Sequence, residues 1–249
     1  MEAIVIAAGR GSRLWERTQQ VPKTLLPFGD GTILSQILGN LRDAGARRVR
    51  IVVGFRGDEI QRHVERLAEF RDLVSFVANP EWERGNALSV LAGGRSGGAD
   101  PPVLLSMCDH IVPARAIETL ARHRSGRNLL LVDPDIPGVF DLDDATKVEL
   151  EGARIVAIGK EIEGYHAVDC GVFRIDERML VAIERNIAAG RESISESVRS
   201  LIEDDAMEGV PIPKDCPWID VDTPEAYRHA LEHVGTLARP GSTGRPAGS

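Results

Sequence analysis

The chain has 249 residues, 30 basic and 38 acidic side chains, and a formal net charge of −8 at pH 7. That acidic balance excludes a general nucleic-acid binder, which needs a basic face, and no apolar run reaches membrane-spanning length. The three cysteines, Cys108, Cys170 and Cys216, have no metal-ligand spacing and fit a reduced cytoplasmic protein.

With no linker in sight, residues 1–236 read as one domain with a subsidiary lobe. Residues 237–249, rich in Gly, Pro, Ser and Arg, are expected to be disordered. The chain opens directly on a strand pattern rather than a signal peptide. Ala3 to Ala8 are apolar and β-branched enough for a buried strand of a parallel sheet. The strand breaks into a loop carrying Gly9, Arg10, Gly11 and Arg13, and Lys23 follows Pro22. Glycines at that place let backbone N–H groups approach phosphate oxygens. Arginine forks add bidentate contacts, and a lysine supplies a point charge. A Gly-x-Gly after a strand is common and by itself leaves a phosphate loop and a plain turn equally open. This one lacks the third glycine of the dinucleotide fingerprint and has no Gly-Lys-Ser/Thr. Lysine is scarce: Lys23, Lys147, Lys160 and Lys214 stand against 26 arginines. Each is a candidate for a task that needs a compact ammonium, except Lys214, which reads as a surface residue.

Thr32 is a capping residue for a helix over 32–44, with Ile33, Ile37, Leu38 and Leu41 on one stripe. A strand over 48–53, an amphipathic helix over 58–70 and a strand over 73–78 follow. This alternation predicts right-handed crossovers and a mostly parallel sheet, with ligands beyond the carboxyl ends of its strands. Two motifs fall at that edge. Asn79 to Asn86 runs into a helix over 87–91, and its Gly85-Asn86 is either a cap or a ligand contact. Val103 to His110 is an apolar strand ending in Asp109, where a carboxylate is placed for Mg²⁺ on a triphosphate. His110 beside it reads as a packing or supporting residue, since Mg²⁺ prefers oxygen.

A helix over 113–125 and a strand over 129–132 precede an aspartate-rich stretch, 133–144. Residues 145–150 and 154–158 form a hairpin turning at Glu151-Gly152, and 168–173 another strand. Helices over 176–189 and 194–202 and a strand over 209–212 lead to Trp218-Ile-Asp-Val-Asp222. There Asp220 and Asp222, two apart in an extended segment, turn to one face. Thr223-Pro224-Glu225 then starts a helix over 225–234.

Ala7-Ala8-Gly9-x-Gly11-x-Arg13 followed by Pro22-Lys23-x-Leu25-Leu26 resembles the signature of the sugar nucleotidyltransferase superfamily. With residues 107–110, 141–148, 158–160, 169–173 and 220–225, the match over 2–235 resembles the cytidylyltransferase domain of the CTP:inositol-1-phosphate cytidylyltransferase family. The membrane-embedded second half of that family's bifunctional members is absent, so a stand-alone domain, or a relative with another acceptor, is expected. The resemblance implies an α/β, Rossmann-like, mostly parallel sheet flanked by helices (a GT-A-like nucleotidyltransferase fold), with a small antiparallel acceptor lobe over 134–175. It implies CMP transfer from CTP to a phosphorylated alcohol, inositol 1-phosphate before phosphocholine, a hydroxyalkylphosphonate or a sugar 1-phosphate. A nucleotide-binding regulator without catalysis is the reading from another class.

By family position, Arg13 steadies the leaving pyrophosphate, Lys23 the α-phosphate and attacking oxygen, and Lys160 the acceptor phosphate. Ala7, Ala8, Gly9, Gly11, Gly85, Asn86 and Ser89 contact the nucleotide. Thr146, Lys147, Asp169 and Gly171 face the acceptor. Mg²⁺ sits on Asp109 with Asp220 or Asp222. The implied partners are CTP and a phosphorylated small molecule, with no nucleic acid, no membrane segment, and a homodimer left open.

Overall fold

The computed structural model describes residues 1–11, 21–97 and 101–233. Strand β1 (Glu2–Ala7) lies inside the sheet, between β2 (Arg48–Val53) and β4 (Val103–Met107), and pairs with both in parallel. Its residues alternate between two cores. Ala3, Val5 and Ala7 join one, while Ile4 and Ile6 join the other. Side chains of a strand point to opposite faces in turn, so a strand covered on both sides reads as an unbroken apolar run.

The first core is closed by α1 (Ile33–Asp43), α2 (Gly57–Glu65), α4 (Ala114–Arg122) and α7 (Pro224–Glu232). The second is closed by α3 (Asn86–Arg95), α5 (Glu177–Ala188) and α6 (Ile194–Glu203). Two helix starts follow sequence signals directly. Thr32 and Ser35 form a capping box on α1, and Ser193 and Glu196 form one on α6. Among the described residues no helix is long and apolar enough to cross a membrane.

The remaining strands are β3 (Val74–Ala78), β5 (Asn128–Asp133), β6 (Lys147–Glu151), β7 (Arg154–Gly159), β8 (Ala167–Ile175) and β9 (Met207–Pro211). The nine run in the order β3-β2-β1-β4-β8-β5-β9-β7-β6. The first four pair in parallel, as does β5 with β9. The long strand β8 is antiparallel to both β4 and β5. The expected α/β sheet with a parallel core and flanking helices is therefore present. Residues 134–175 contribute the hairpin β6–β7, which extends this sheet: β7 pairs with β9, and β6 with the start of β8.

Two local expectations need correction. The helix expected over 58–70 ends at Glu65, and Ala68–Phe70 form a separate 3-10 turn. Leu67 between them is extended, and the break brings Phe70 into full burial. The extended segment expected over 218–222 is a strand only at Ile219–Asp220, paired antiparallel with His110–Ile111.

Because β1 and β4 are parallel, the segments after Ala7 and Met107 leave the sheet at the same edge. Strand β8 runs the other way, so its beginning, with Asp169 and Gly171, reaches that edge too.

Candidate active site

At this edge Lys23, on the 3-10 turn Lys23–Leu25, reaches the carboxylates of Asp109 and Asp222. Its Nζ lies 2.7 Å from Asp109 Oδ2, and the side chain is only 8% exposed. Burial works against the ammonium, but Asp109 and Asp222 outweigh it and hold its pKa well above the ordinary lysine range. Asp109 is likewise penalised by burial, yet Lys23 and His110 hold it well below the usual carboxylate range. Lysine and aspartate are both charged at any working pH.

His110 is fixed from three sides. Its Nδ1 lies 2.7 Å from Asp109 Oδ1 and 3.8 Å from Asp220 Oδ1. The Trp218 ring stacks parallel at 5.8 Å, locked in turn by its Nε1 donating to Asp133 Oδ2 at 2.7 Å. On the third side is Gly171, with φ +72°, where any Cβ would enter the imidazole. Burial lowers the His110 pKa, but Asp220, Asp109 and Asp169 together push it up to about 10. Asp169 accepts from the Gly171 amide at 2.7 Å. It is pushed up to about 6 by burial, against the pull of His110.

Asp220 is pushed up to about 7, by burial first and then by Asp109 and Asp222, against His110. Its Oδ1 is buried without a hydrogen-bond partner. Asp109, His110 and Asp220 each bring one ligating atom within 4.8 Å of the others. Among the described residues, four carboxylates, those of Asp109, Asp169, Asp220 and Asp222, thus gather around Lys23 and His110. Two of the four carry raised pKa values and one carries an orphan oxygen, which is a local deficit of positive charge. A hard divalent ion with oxygen preference fits Asp109 and Asp220. The imidazole suits it less, and its Nδ1 is already committed to Asp109, so His110 orients that carboxylate.

Two clefts open on either side of this cluster. One, of about 320 Å³, is lined by Gly9, Gly11, Lys23, Trp82, Arg84 and Ser89, among others. The other, of about 290 Å³, is lined by Asp141, Asp144, Thr146, Lys160, Asp169, Gly171, Phe140 and Trp218, among others. Asn86, Met107, Asp109 and Asp222 line both.

Residues assigned from the sequence fall at different distances from the clefts. Gly9, Gly11 and Lys23 line the first cleft, and Thr146, Lys160, Asp169 and Gly171 the second. Asp220 and Asp222 both line the second. Ala7 and Ala8 are buried behind the loop. Arg13 lies outside the described residues. Asn86 reaches both clefts, but its Oδ1 accepts from the Ile194 amide at 2.9 Å and so ties α3 to the start of α6. Gly85 lines neither cleft; a Cβ there would collide with the Glu192 backbone, which explains the glycine by close packing. Ser89 is buried and accepts from Asn79 Nδ2 at 3.0 Å. Lys147 lines neither cleft: its Nζ donates to the Lys160 carbonyl at 2.8 Å and holds the loop from which Lys160 pairs with Asp144 at 2.6 Å.

Trp82, Arg84, Phe140 and Trp218 are among the lining residues that had no role in the sequence reading. Trp82, tilted on Phe55 at 5.2 Å, and Arg84, paired with Glu81 and Glu192, wall the first cleft. Phe140 and Trp218 wall the second. Trp82 and Arg84 lie inside the motif Asn79 to Asn86, so proximity to Asn86 was the available signal. Nothing in the sequence links Trp218 to His110.

Residues 3–140 match the family described as MobA-like NTP transferase domain. A bifunctional IPC transferase and DIPP synthase from Rubrobacter xylanophilus is 34% identical across 97% of this chain and 54% of its own length. A protein of the same name from Aquifex aeolicus is 31% identical across 93% of this chain and 51% of its own. The chain spans about half the length of these curated relatives. Among solved structures, the inositol-1-phosphate CTP transferase from T. maritima superposes with a TM-score of 0.84 at 24% identity, over 95% of both chains. A putative glucose-1-phosphate thymidylyltransferase from Bacillus anthracis superposes at 0.80 and 18%, over 98% of both. These two share the fold.

Proposed function

Since the chain belongs to the MobA-like NTP transferase domain family, we propose that it transfers CMP from CTP to inositol 1-phosphate, releasing pyrophosphate and forming CDP-inositol. The observation that carries this reading is the pair of clefts meeting at Asp109 and Asp222, with Lys23 between those carboxylates. One cleft has the glycine loop, a lysine and an aromatic wall suited to a nucleoside triphosphate. The other has acids, a hydroxyl and Lys160, suited to a phosphorylated polyol. The names of the IPC transferase relatives and of the T. maritima structure support the choice of cytidylyl donor and inositol acceptor.

An oxygen of the acceptor phosphate attacks the α-phosphorus of CTP, and the bond from that phosphorus to the β-phosphate oxygen breaks. A phosphate monoester is largely dianionic at neutral pH, its second pKa being about 6, so no general base is required. No thiol nucleophile is required either, and burial pushes Cys108, beside Asp109, above its ordinary range. The task of the site is to bring two anions together in line and to neutralise charge as it builds. Lys23, kept charged by its two carboxylates, faces the α-phosphate. Lys160 holds the acceptor phosphate, and Asp141, Asp144 and Thr146 receive ring hydroxyls. Arg13 steadies the pyrophosphate. Asp109 and Asp220 would hold Mg²⁺, which would supply charge neutralisation at the α-phosphate. His110 and Trp218 keep Asp109 in place. A reaction that draws on CTP belongs in the cytoplasm.

Initial-rate kinetics test the two-cleft premise. Both substrates must be bound before pyrophosphate leaves, so reciprocal plots should intersect and CTP alone should release no pyrophosphate. Parallel plots with a stoichiometric burst from CTP alone would mean a covalent nucleotidyl-enzyme and contradict the direct displacement.

A further inference from the structure

A third cleft, of about 710 Å³, lies behind the proposed acceptor cleft, and Phe140 and Trp218 wall both. Its rim is built partly by α7, where His229 and His233 stand four residues apart with Glu232 between them. Residues four apart on a helix share a face, so the two imidazoles are neighbours by sequence alone. Their ring centroids are 4.2 Å apart, and one ligating atom from each of His229, Glu232 and His233 falls within 4.8 Å of the others. None of the three takes part in the chemistry above.

We propose that His229, Glu232 and His233 form a second metal site, taking a divalent transition ion of the zinc, nickel or copper class. Three observations converge. His233 Nδ1 lies 2.8 Å from the His229 carbonyl oxygen. A carbonyl can only accept, so Nδ1 carries the proton and Nε2 keeps the lone pair. Metal-binding histidines are commonly oriented by such a bond from the second ring nitrogen. The His229 ring is held by stacking on Phe140 at 4.6 Å, which fixes the other imidazole without using its nitrogens. Asp133 and Asp135 line the same cleft and outnumber its one lining lysine, Lys214.

The donor set selects the ion. Two imidazoles and one carboxylate match borderline divalent metals, whereas Mg²⁺ favours an all-oxygen set such as Asp109 with Asp220. The two sites therefore differ in donor preference as well as in position. They are joined by Phe140, which leans on His229 and also walls the acceptor cleft. An ion on α7 would tighten the wall against which the acceptor rests.

The test is calorimetric titration of the full chain with Zn²⁺ in the presence of saturating Mg²⁺, using His233→Gln and Asp220→Asn alongside the unchanged protein. Zn²⁺ can also enter the Asp109–His110–Asp220 cluster, and the second variant separates the two. The three thiols compete poorly, because burial pushes each of them up. His233 is exposed at the end of α7, so its replacement leaves the core intact, as unchanged circular dichroism should report. The expected result is one equivalent of Zn²⁺ retained in Asp220→Asn and lost in His233→Gln, with His229→Gln repeating the loss. Equal Zn²⁺ binding by the unchanged protein and both histidine variants, or loss of all Zn²⁺ in Asp220→Asn, would overturn the proposal.

Discussion

Replacing Gly171 by alanine probes the support of the site rather than its chemistry. At φ +72° an L-residue is strained, by about 1–2 kcal/mol. The added methyl would also overlap the His110 ring, with even Nδ1 only 2.8 Å from the new Cβ. The ring cannot simply retreat, since Trp218 stacks behind it at 5.8 Å and Asp109 holds it at 2.7 Å. Overpacking of this kind adds about 1–3 kcal/mol. The total, about 2–5 kcal/mol, should be read as a lower urea midpoint with an unchanged slope. Turnover should fall as well, by about 10²-fold, because a displaced His110 takes Asp109 with it and misplacement of about 1 Å can have that effect. Gly152→Ala is the control. Gly152 also has positive φ, +63°, but nothing lies within 4 Å of its would-be Cβ. It should show only the backbone strain and full activity. A Gly171→Ala protein as stable as the Gly152→Ala control, and as active as the unchanged chain, would refute the reasoning.

Three further outcomes follow from the site. Lys23→Ala should lower kcat by about 10²–10³-fold while weakening CTP binding much less, because its charge acts on the transition state; an effect confined to the CTP KM would assign Lys23 to ground-state binding. Asp109→Ala should be inactive yet folded, since Lys23 retains Asp222, and excess EDTA should silence the unchanged enzyme; near-normal turnover in either case would remove the metal assignment. Lys160→Ala should raise the acceptor KM and leave the CTP KM alone, with stability changed by no more than about 0.5 kcal/mol, because its pair with Asp144 is solvent-exposed; a rise in the CTP KM would place Lys160 on the wrong substrate.

The parallel half of the sheet was legible because each of its strands carries its own pattern. Ala3 to Ala8 is an unbroken apolar run, 103–107 is interrupted only by Ser106 and 48–53 by Arg48 and Arg50, and near-continuous runs arise when helices cover both faces. Thr32 announced its helix through local capping chemistry. What stayed hidden depends on contacts between residues far apart in sequence. Asn86 looked like a ligand contact, and its bond to the Ile194 amide spans 108 positions. Gly85 is a glycine because the Glu192 backbone passes beside it, which no local pattern reveals. His110 was read as a supporting residue from the donor preference of Mg²⁺, but the Gly171 and Trp218 walls that fix it come from two other parts of the chain. The aspartates after Asp133 could have been plain solvent-facing loop; Asp141 and Asp144 line the second cleft.

The most direct measurement is a matrix of the four nucleoside triphosphates against phosphorylated acceptors, with Mg²⁺ present and pyrophosphate release as the readout. Phosphocholine is the most searching competitor, because Phe140 and Trp218 give the acceptor cleft two aromatic walls that could hold a quaternary ammonium. A cleft that pairs several ring hydroxyls leaves its own polar groups unmatched when an acceptor lacks them. CTP with inositol 1-phosphate should therefore exceed every other pair, and phosphocholine by orders of magnitude in kcat/KM. Faster turnover with another triphosphate, or with phosphocholine, a phosphonate or a sugar 1-phosphate, would contradict the assignment.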